Sequence, residues 1–335
     1  MASVLSEISR YLHEMYNAFE YRVYPVVAFE ETLFSTNIKS SIGTAFPVAN
    51  YGNGTLFVTA SHVVKDYEDV FLLIQSPDNM SIVPAEKSLV LWQMGNNIFD
   101  IAILYTDSVK VEPMKLGNSL LVNNGDVVVS MGYPLSIVRK PTIVEGLVSA
   151  NDLELITQIG TMHGIIQTTL PLNPGFSGGP IFNVNGEVVG IARAIIMGAQ
   201  LMSYATPINF IKPFVKSAVE TGTFKYPSLQ VVTVLYNPLM KELYRTRYPA
   251  VLSCASSLRL NAMRSIVVES YNSDIPPCSA VLSVSVGTTT INNPTPAQII
   301  QALYEAYWEG TQMVMTLQTT SGVITITPRY ILKTI

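Results

Sequence analysis

The feature that most restricts the fold of this chain is a succession of short β-prone runs over residues 21–222. Valine, isoleucine, threonine and aromatic residues dominate these runs, and turn sequences such as Asn-Gly and Gly-Tyr-Pro separate them. In the clearest hairpin, Asn185-Gly186 joins Pro180–Val184 to Glu187–Ile191 and supplies the positive φ angles of a two-residue primed turn. Many short strands separated by turns predict an all-β barrel or sandwich for this region.

Different patterns flank these strands on both sides. Residues 1–20 predict one amphipathic helix, because apolar residues recur at steps of three and four along it. We expect this helix to dock on the main domain; a contact with another subunit or with a membrane surface is the alternative. Residues 223–335 mix strand-like runs with a helix at Pro296–Trp308 and predict a small α+β domain that can fold alone. The predicted domains are therefore 1–20, 21–222 and 223–335.

The chain carries few charged residues for its size. Its 335 residues include 20 Lys and Arg against 24 Asp and Glu, which gives a net charge of −4. The charged fraction of 13% is half of the ~25% usual in soluble domains. A chain of low charge in which 48% of the residues are hydrophobic is unlike a disordered one. Because no Lys or Arg cluster stands out, we expect no nucleic-acid partner.

No segment has the pattern of an export signal or a membrane span. Near the N-terminus, Glu7, Arg10 and Glu14 interrupt the apolar stretch that a signal peptide needs. The longest apolar region, residues 188–205, is interrupted by Arg193 and falls short of the ~20 apolar residues of a spanning helix. We therefore expect a soluble protein without a transmembrane segment, with the cytoplasm as its default location.

Cysteine and histidine are scarce. Cys254 and Cys278 are too few for a disulfide framework or a zinc site, so two buried thiols are expected, with a single bridge as the alternative. The three histidines, His13, His62 and His163, are scattered and show no metal-ligand spacing. We therefore expect no metal ion and no other cofactor.

A glycine-rich segment over residues 173–180, Asn-Pro-Gly-Phe-Ser-Gly-Gly-Pro, suits a nucleophilic serine on a tight turn. Gly175 lets consecutive amides point toward one spot, and Gly178 and Gly179 keep side chains away from Ser177. Such amides would form an oxyanion hole, which stabilises the charge of a tetrahedral intermediate. An inert glycine-rich turn beside a hairpin is the alternative.

A serine nucleophile needs a base, and His62 is the best-placed histidine because it directly follows an apolar strand. Asp100 stands at the start of the apolar strand Asp-Ile-Ala-Ile-Leu, where a carboxylate must be paired. A hydrogen bond from the His62 ring would satisfy Asp100 and hold the imidazole in one tautomer. The chain order His62, Asp100, Ser177 is one of the orders that Ser-His-Asp triads take.

Together these motifs resemble a trypsin/chymotrypsin-fold serine protease, and the HtrA/Deg branch in particular. The resemblance covers about residues 23–215, and its motifs lie at residues 43–46, 59–64, 100–104, 165–168, 173–180, 186–191 and 205–210. It implies a mostly β fold with a double six-stranded barrel and a site in the cleft between the barrels. It also implies His62 as general base and acid, Asp100 as its orienting partner, and Ser177 as nucleophile. The amides of Gly175 and Ser177 would form the oxyanion hole.

The resemblance also indicates a specificity pocket. In this fold the residues before the nucleophile, here Pro171, Leu172 and Asn173, line one wall of the primary pocket. The strand after Gly190 contributes the opposite wall, from Ala192 to Ile196. Because no acidic residue lies between Leu170 and Val184, we expect cleavage after small or medium apolar residues rather than after Lys or Arg.

HtrA proteases usually carry one or two PDZ domains after the protease, and residues 223–335 are similar to one. Residues 279–287 resemble a strand and turn of that domain, and Thr295 to Ala306 resembles the helix of its peptide groove. The resemblance implies that a peptide adds as a strand beside Leu229 and Val231. Residues 224–229 lack the glycine usual in the carboxylate-binding loop, so a role in packing or oligomerisation is the alternative.

The sequence thus predicts an HtrA-like serine endopeptidase that acts on unfolded or damaged polypeptides through an acyl-enzyme. A weakly active or inactive peptide-binding scaffold or chaperone of the same fold is one alternative. A dedicated processing protease, viral ones included, is another. The resemblance also implies polypeptide substrates as partners and a homo-oligomer, by family a trimer.

Overall fold

The chain divides into two compact units, Met1–Ile211 and Lys212–Ile335. The computed structural model describes residues 2–30, 39–94, 97–134, 140–157, 160–193 and 202–335. The helix Lys212–Thr221 thus groups with the second unit, although the sequence pattern assigns it to the end of the first domain. The sequence-based limits at residues 20 and 222 stay predictions.

The first unit consists mainly of β-strands, as the sequence predicts. Its elements are α1 (Ala2–Phe19), β1 (Tyr24–Glu30), β2 (Lys39–Tyr51), β3 (Gly54–Thr59), α2 (Ser61–Val64), β4 (Asp69–Gln75), β5 (Met80–Pro84), β6 (Glu86–Met94), β7 (Asn97–Thr106), β8 (Val127–Gly132), β9 (Thr142–Thr157), β10 (Gly160–Thr168), β11 (Pro180–Phe182), β12 (Val188–Arg193) and β13 (Ser203–Pro207). The short helix α2 follows β3 after a single residue, Ala60.

Strands β1–β7 form the first of two groups of paired strands, which we call the first ring. β1 pairs with β2 and β4, β2 pairs with β3, β3 with β7, β7 with β6, and β4 with β5. β5 and β6 follow each other through Ala85, so the chain itself, and not a strand pair, joins the two ends of this path. Tyr24 and Phe57 meet edge to face inside the ring, at 5.7 Å between ring centroids, within a core cluster that also contains Val63 and Val64.

Strands β8–β13 form the second ring. Antiparallel pairs join β8 to β9, β9 to β10, β10 to β13, β13 to β12, β12 to β11, and β11 back to β8. Its core cluster contains Leu170, Leu172, Phe176 and Ala192. The glycine-rich segment of residues 173–180 leads directly into β11, and Leu170 and Leu172, which precede it, pack in the core of the second ring. Both ends of this segment are therefore anchored in the second ring.

The predicted two-residue turn of the β11–β12 hairpin is wrong. Gly186 has a positive φ of 72°, but the φ of Asn185 is not positive. The side chain of Asn183 explains the difference, because its Oδ1 accepts hydrogen bonds from the amides of Asn185 and Glu187, both at 3.0 Å. The amide of Gly186 also donates to the carbonyl of Asn183. This local side-chain bond favours a longer turn with a left-handed glycine.

Helix α1 packs on the second ring, in agreement with the docked helix that the sequence predicts. Phe19 stacks on Phe182 with 4.6 Å between ring centroids, and the side chain of Met15 is buried. No helix among residues 2–30, 39–94, 97–134, 140–157, 160–193 and 202–335 is long and apolar enough to cross a membrane.

The second unit combines helices with a small sheet. Its elements are α3 (Lys212–Thr221), β14 (Lys225–Ser228), β15 (Val231–Tyr236), α4 (Lys241–Arg247), α5 (Pro249–Ser257), β16 (Arg264–Ser270), β17 (Ser279–Val286), β18 (Thr289–Asn292), α6 (Pro296–Glu309), β19 (Met313–Thr319), β20 (Gly322–Ile326) and β21 (Ile331–Thr334). The sheet has the order β15-β16-β17-β19-β20, with β18 on β17, and β14 pairs with β21.

Helix α6 confirms the predicted helix at Pro296–Trp308. Thr295 and Gln298 form a reciprocal capping box at its start, and Gly310 ends it with a φ of 69°. Apolar residues on one face of the helix, among them Ile299 and Leu303, are buried. The helix is therefore defined by its ends as well as by its apolar face.

The expectation of two free thiols is wrong, because Cys254 and Cys278 form a disulfide. Cys254 lies in α5 and Cys278 directly precedes β17, and their Cα atoms are 4.8 Å apart. The fold brings together two positions that are 24 residues apart, a proximity that spacing alone does not show.

Candidate active site

The histidine that the sequence singles out sits where a strand turns into a short helix. β3 is buried along its whole length and leads through Ala60 into α2. Val63 and Val64 of α2 are buried in the core of the first ring, whereas the side chain of His62 is 29% exposed. Packing of the two valines thus fixes the helix while the imidazole remains accessible.

Asp100 is buried and bonded to this histidine. Its Oδ2 lies 2.8 Å from Nδ1 of His62, and its Oδ1 accepts hydrogen bonds from the backbone amide of His62 and from Oγ of Ser61, both at 2.9 Å. Asp100 has a φ of 57°, which is rare for an aspartate within a strand. Such a strained backbone persists only where the surrounding contacts hold it, and it is found most often at functional sites.

The surroundings keep Asp100 ionised. Burial of the carboxyl acts to raise its pKa, but the hydrogen bond from the His62 ring and the charge of Arg193 lower the pKa further than burial raises it. Nη2 of Arg193 lies 3.3 Å from Oδ2 of Asp100. An ionised carboxylate on Nδ1 directs the proton of a neutral imidazole to that nitrogen and leaves Nε2 free to accept one.

Sequence reasoning missed Arg193, noticing it only as an interruption of an apolar region. The available signal was a charged residue at the end of the otherwise apolar strand Val-Val-Gly-Ile-Ala-Arg. A buried arginine requires an acidic partner, and the buried Asp100 was the obvious candidate.

The glycine-rich loop that carries Ser177 is tied to the first ring through Thr44. The amide of Thr44 donates to the carbonyl of Ser177 at 2.9 Å, and its Oγ1 donates to the carbonyl of Gly175 at 2.6 Å. The same Oγ1 accepts a hydrogen bond from the amide of Tyr133 at 3.2 Å. The sequence indicates Thr44 only as a member of the motif at residues 43–46, because its role depends on contacts that the chain makes after folding.

Close backbone approaches explain two of the loop glycines. Gly175 has a φ of 104°, and a Cβ there would lie 2.0 Å from the carbonyl oxygen of Tyr133. Gly178 has a φ of 85°, and a Cβ there would lie 2.2 Å from Oγ1 of Thr59 and 2.6 Å from the amide nitrogen of Ala60. The loop thus packs closely against Thr59 and Ala60, which directly precede α2 and His62.

Ser177 itself is 3% exposed, and its neighbour Phe176 is anchored in the core of the second ring. The amide of Gly178 donates to the carbonyl of Ala192, and the amide of Ala192 donates to the carbonyl of Gly179, both at 2.8 Å. Within the described parts of the chain, the amides of Gly175 and Ser177 donate to no backbone carbonyl. Their role as an oxyanion hole stays a prediction.

The residues expected to line a specificity pocket differ in exposure. Pro171 and Asn173 are exposed, whereas Leu172 and Ala192 are buried in the core cluster of the second ring. Ile196 lies outside the residues that the structure describes. The composition of the pocket stays a prediction.

In the second unit, the expected peptide-groove residues lie where β15 begins. Val231 is the first residue of β15, and in the described part of the sheet this strand pairs with β16 alone. Leu229 is buried, and its carbonyl accepts a hydrogen bond of 3.0 Å from the side chain of Asn272. Peptide binding at this edge stays a prediction.

Among the described residues, no cluster of three or more His, Cys, Asp and Glu side chains is arranged to hold a metal ion. His62 and Asp100 are engaged with each other. The second histidine pair, His163 with Glu154 at 3.6 Å, lies on strands β10 and β9.

Comparison with known proteins gives consistent matches. Residues 43–191 match the family described as "Trypsin-like peptidase domain". The "Probable periplasmic serine endoprotease DegP-like" of Hahella chejuensis (strain KCTC 2396) is 27% identical over 273 residues, which is 78% of this chain and 54% of that protein. Its namesake in Pseudomonas putida (strain W619) is 28% identical over 270 residues, or 78% of this chain and 53% of that protein. The chain thus spans about half the length of these relatives.

A solved structure, "HtrA-type protease AlgW with decapeptide", matches with a TM-score of 0.59 and 18% identity, over 96% of this chain and 98% of that one. At this identity the match shows the fold alone. It supports the mostly β, trypsin-like architecture of the sequence-based prediction.

The two bacterial relatives also correct the expected location. Both are described as periplasmic proteins. The cytoplasmic default is therefore wrong. The charged residues near the N-terminus bear only on whether that stretch is an apolar signal segment, and they do not determine the compartment in which the folded domains work.

Proposed function

From the premise that this chain is an HtrA-like protein of the trypsin fold, we propose that it is a serine endopeptidase with the triad His62, Asp100 and Ser177. The observation that carries the proposal is the 2.8 Å contact between Nδ1 of His62 and Oδ2 of Asp100. It joins an accessible imidazole to a buried carboxylate, the arrangement that a general base needs.

In the proposed reaction each of these groups has a defined role. Nε2 of His62 takes the hydroxyl proton of Ser177 as Oγ attacks the carbonyl carbon of the substrate, and Asp100 stabilises the imidazolium. The amides of Gly175 and Ser177 donate to the oxyanion. His62 then returns the proton to the leaving amine, and a water molecule, activated by the same imidazole, hydrolyses the acyl-enzyme.

For the substrate we propose unfolded or damaged polypeptides, cut after small or medium apolar residues. The support is the absence of Lys, Arg, Asp and Glu between Leu170 and Val184, the stretch that surrounds the proposed nucleophile. A panel of fluorogenic peptides tests this, and faster cleavage after Arg than after Val, Ala or Leu would contradict it. The likeness to HtrA proteins further suggests a homotrimer, which light scattering on the purified chain would test.

We also propose that the protein works in the periplasm or as a secreted protein. The disulfide between Cys254 and Cys278 supports this, because such bonds form and persist in oxidising compartments. Fractionation of cells that produce the natural protein tests the location.

Covalent labelling with a fluorophosphonate probe tests the activity. The wild type is expected to be labelled and Ser177→Ala to remain unlabelled, because the probe requires an activated serine. Ser130→Ala is the matched control, since Ser130 is also buried in the second ring and its hydroxyl donates to the carbonyl of Pro180, at 2.9 Å. Folded wild type without label would favour the peptide-binding scaffold, and broad digestion of casein would favour a quality-control role over dedicated processing.

A further inference from the structure

A buried ion pair lies next to the proposed general base. Nη2 of Arg193 lies 3.3 Å from Oδ2 of Asp100, the same oxygen that contacts Nδ1 of His62. The side chains of Arg193 and Asp100 are 6% and 2% exposed. Nη1 of Arg193 also lies 3.5 Å from Oγ1 of Thr206, whose hydroxyl donates to the carbonyl of Phe99. The guanidinium of Arg193 is therefore held next to the Asp100 carboxylate by the fold.

Within the described residues, Arg193 is the one permanent cation that acts on Asp100. His62 from α2 and Arg193 from β12 are the titratable or charged groups that influence the carboxyl. Asp100 is in turn the acid that influences Arg193. Lys65, which follows α2, instead pairs with Asp66 at 2.6 Å and lies over the ring of Trp92. Removing the charge of Arg193 would therefore leave Asp100 with His62 alone.

A carboxylate that is shared between two cations stabilises each of them less. In a Ser-His-Asp triad the carboxylate stabilises the imidazolium that forms when histidine takes the proton. Here Asp100 already faces a guanidinium, so proton uptake by His62 takes the three groups from no net charge to a positive one. A charge a few ångströms away in a buried site shifts a proton equilibrium by about one pH unit or more.

We propose that Arg193 is a positioning residue that shares the Asp100 carboxylate with His62 and so weakens the stabilisation that this carboxylate gives to a protonated imidazole. It acts through Asp100 and extends the activity of the enzyme to lower pH. This inference rests on the proposed function, since it concerns the base of the proposed triad.

The rate of labelling by a fluorophosphonate as a function of pH tests the proposal on the full chain. In Arg193→Gln the acid limb of the profile is expected to move to higher pH by about one unit, because Asp100 then stabilises the imidazolium fully. Above neutral pH this variant should react at least as fast as the wild type, since the imidazole is the stronger base. Arg193→Lys keeps the cation and should keep the wild-type limb.

Two controls separate this role from a structural one. Lys65→Gln removes a positive charge close to His62 in sequence without touching Asp100, and should leave the acid limb in place. A loss of rate by the same factor at every pH in Arg193→Gln would mean that the arginine only supports the fold, and would overturn the proposal. Arg193→Thr is a second neutral variant in case the glutamine variant does not fold.

An NMR titration of the His62 ring separates the failure of this inference from the failure of the proposed function. The ring signal, assigned with a His62→Gln spectrum, should titrate at a pH about one unit higher in Arg193→Gln than in the wild type. Wild type that is never labelled would contradict the proposed function, and the titration would still decide the role of Arg193. Equal midpoints in the two proteins would overturn the inference.

Discussion

Thr44 holds the glycine-rich loop of residues 173–180 in place through its backbone and its side chain. Its backbone and hydroxyl bond the carbonyls of Ser177 and Gly175, and the hydroxyl also accepts the amide of Tyr133. Its own carbonyl accepts a hydrogen bond from Oγ1 of Thr59 at 2.8 Å. Because Thr44 is fully buried, water molecules cannot take the place of these hydrogen bonds, and the loss of one leaves a buried polar group unsatisfied.

Thr44→Val tests this role. The variant keeps the shape of the side chain but leaves the carbonyl of Gly175 without its donor, so the loop is expected to shift and fluorophosphonate labelling to slow by about tenfold or more. Stability should fall by about 1–3 kcal/mol, the usual effect of an unsatisfied buried group. Labelling kinetics and urea denaturation measure the two effects.

Thr55→Val is the matched control for this variant. Thr55 is equally buried, and its hydroxyl bonds Oδ1 of Asn50 at 2.9 Å, away from the loop. It should lose stability and keep its labelling rate. If both valine variants label at the wild-type rate, the loop does not depend on Thr44.

At the scale of elements, the disulfide joins α5 to the start of β17 in the second unit. Cys254 is buried in a cluster with Tyr236, Val251 and Ile266, so the helix already packs on the sheet without the covalent bond. The bond closes a loop between two cysteines that are 24 residues apart in the sequence. Its main effect should be to reduce the conformational freedom of the unfolded chain.

Replacing both cysteines, Cys254→Ala with Cys278→Ala, is expected to lower the free energy of unfolding of the second unit by about 3 kcal/mol. The chain has two tryptophans, so a Trp92→Phe background leaves the fluorescence of Trp308 as a reporter of that unit. Urea denaturation gives the difference. A reducing agent should have the same effect on the parent and none on the double variant; an effect on both would show that it acts elsewhere.

At the scale of the whole molecule, the second unit begins earlier than the sequence pattern suggests. Lys212 of α3 and Glu305 of α6 form an ion pair in which both side chains are buried. Nζ of Lys216 donates to the carbonyls of Tyr307 and Trp308, at 2.7 and 3.1 Å, near the end of α6. Helix α3 therefore supplies one cation that pairs with Glu305 and a second that binds carbonyl groups near the C-terminal end of α6.

Two fragments test this division. Residues 212–335 should be more stable than residues 223–335 by about 3 kcal/mol or more, because the shorter fragment loses both the Lys212–Glu305 ion pair and the packing of Phe214 on Tyr304. Urea denaturation followed by circular dichroism measures the difference. Fragments of equal stability would support the sequence-based limit after residue 222.

The pH dependence of a single variant gives a second test. Burial raises the pKa of Glu305 above its usual value even with Lys212 present, which acts in the opposite direction. Lys212→Met removes this cation and keeps helix α3, so the pKa of the buried Glu305 carboxyl should rise further. A carboxyl whose pKa is raised in the folded state destabilises the fold once it ionises, so Lys212→Met should gain stability on acidification relative to the wild type.

Much of the fold and part of the site follow from local patterns. The β-prone runs and helix α6 are encoded within a few residues, since alternation, turn residues and the Thr295–Gln298 cap act over short distances. The contact between His62 and Asp100 was also predicted, because a carboxylate among apolar residues needs a partner and few were available. Asn183, by contrast, changed a predicted turn through a side-chain bond that competes with the backbone preference.

Local sequence patterns do not predict the contacts that form when the two rings of strands assemble. Thr44 meets Gly175 across 131 residues of sequence, and Arg193 meets Asp100 across a comparable distance. The types of residue in the chain thus settled which chemistry is available, since hydroxyl, imidazole and carboxylate have properties of their own. Strand register and ring closure settled which of them meet, because burial and pairing energies depend on neighbours that are remote in sequence.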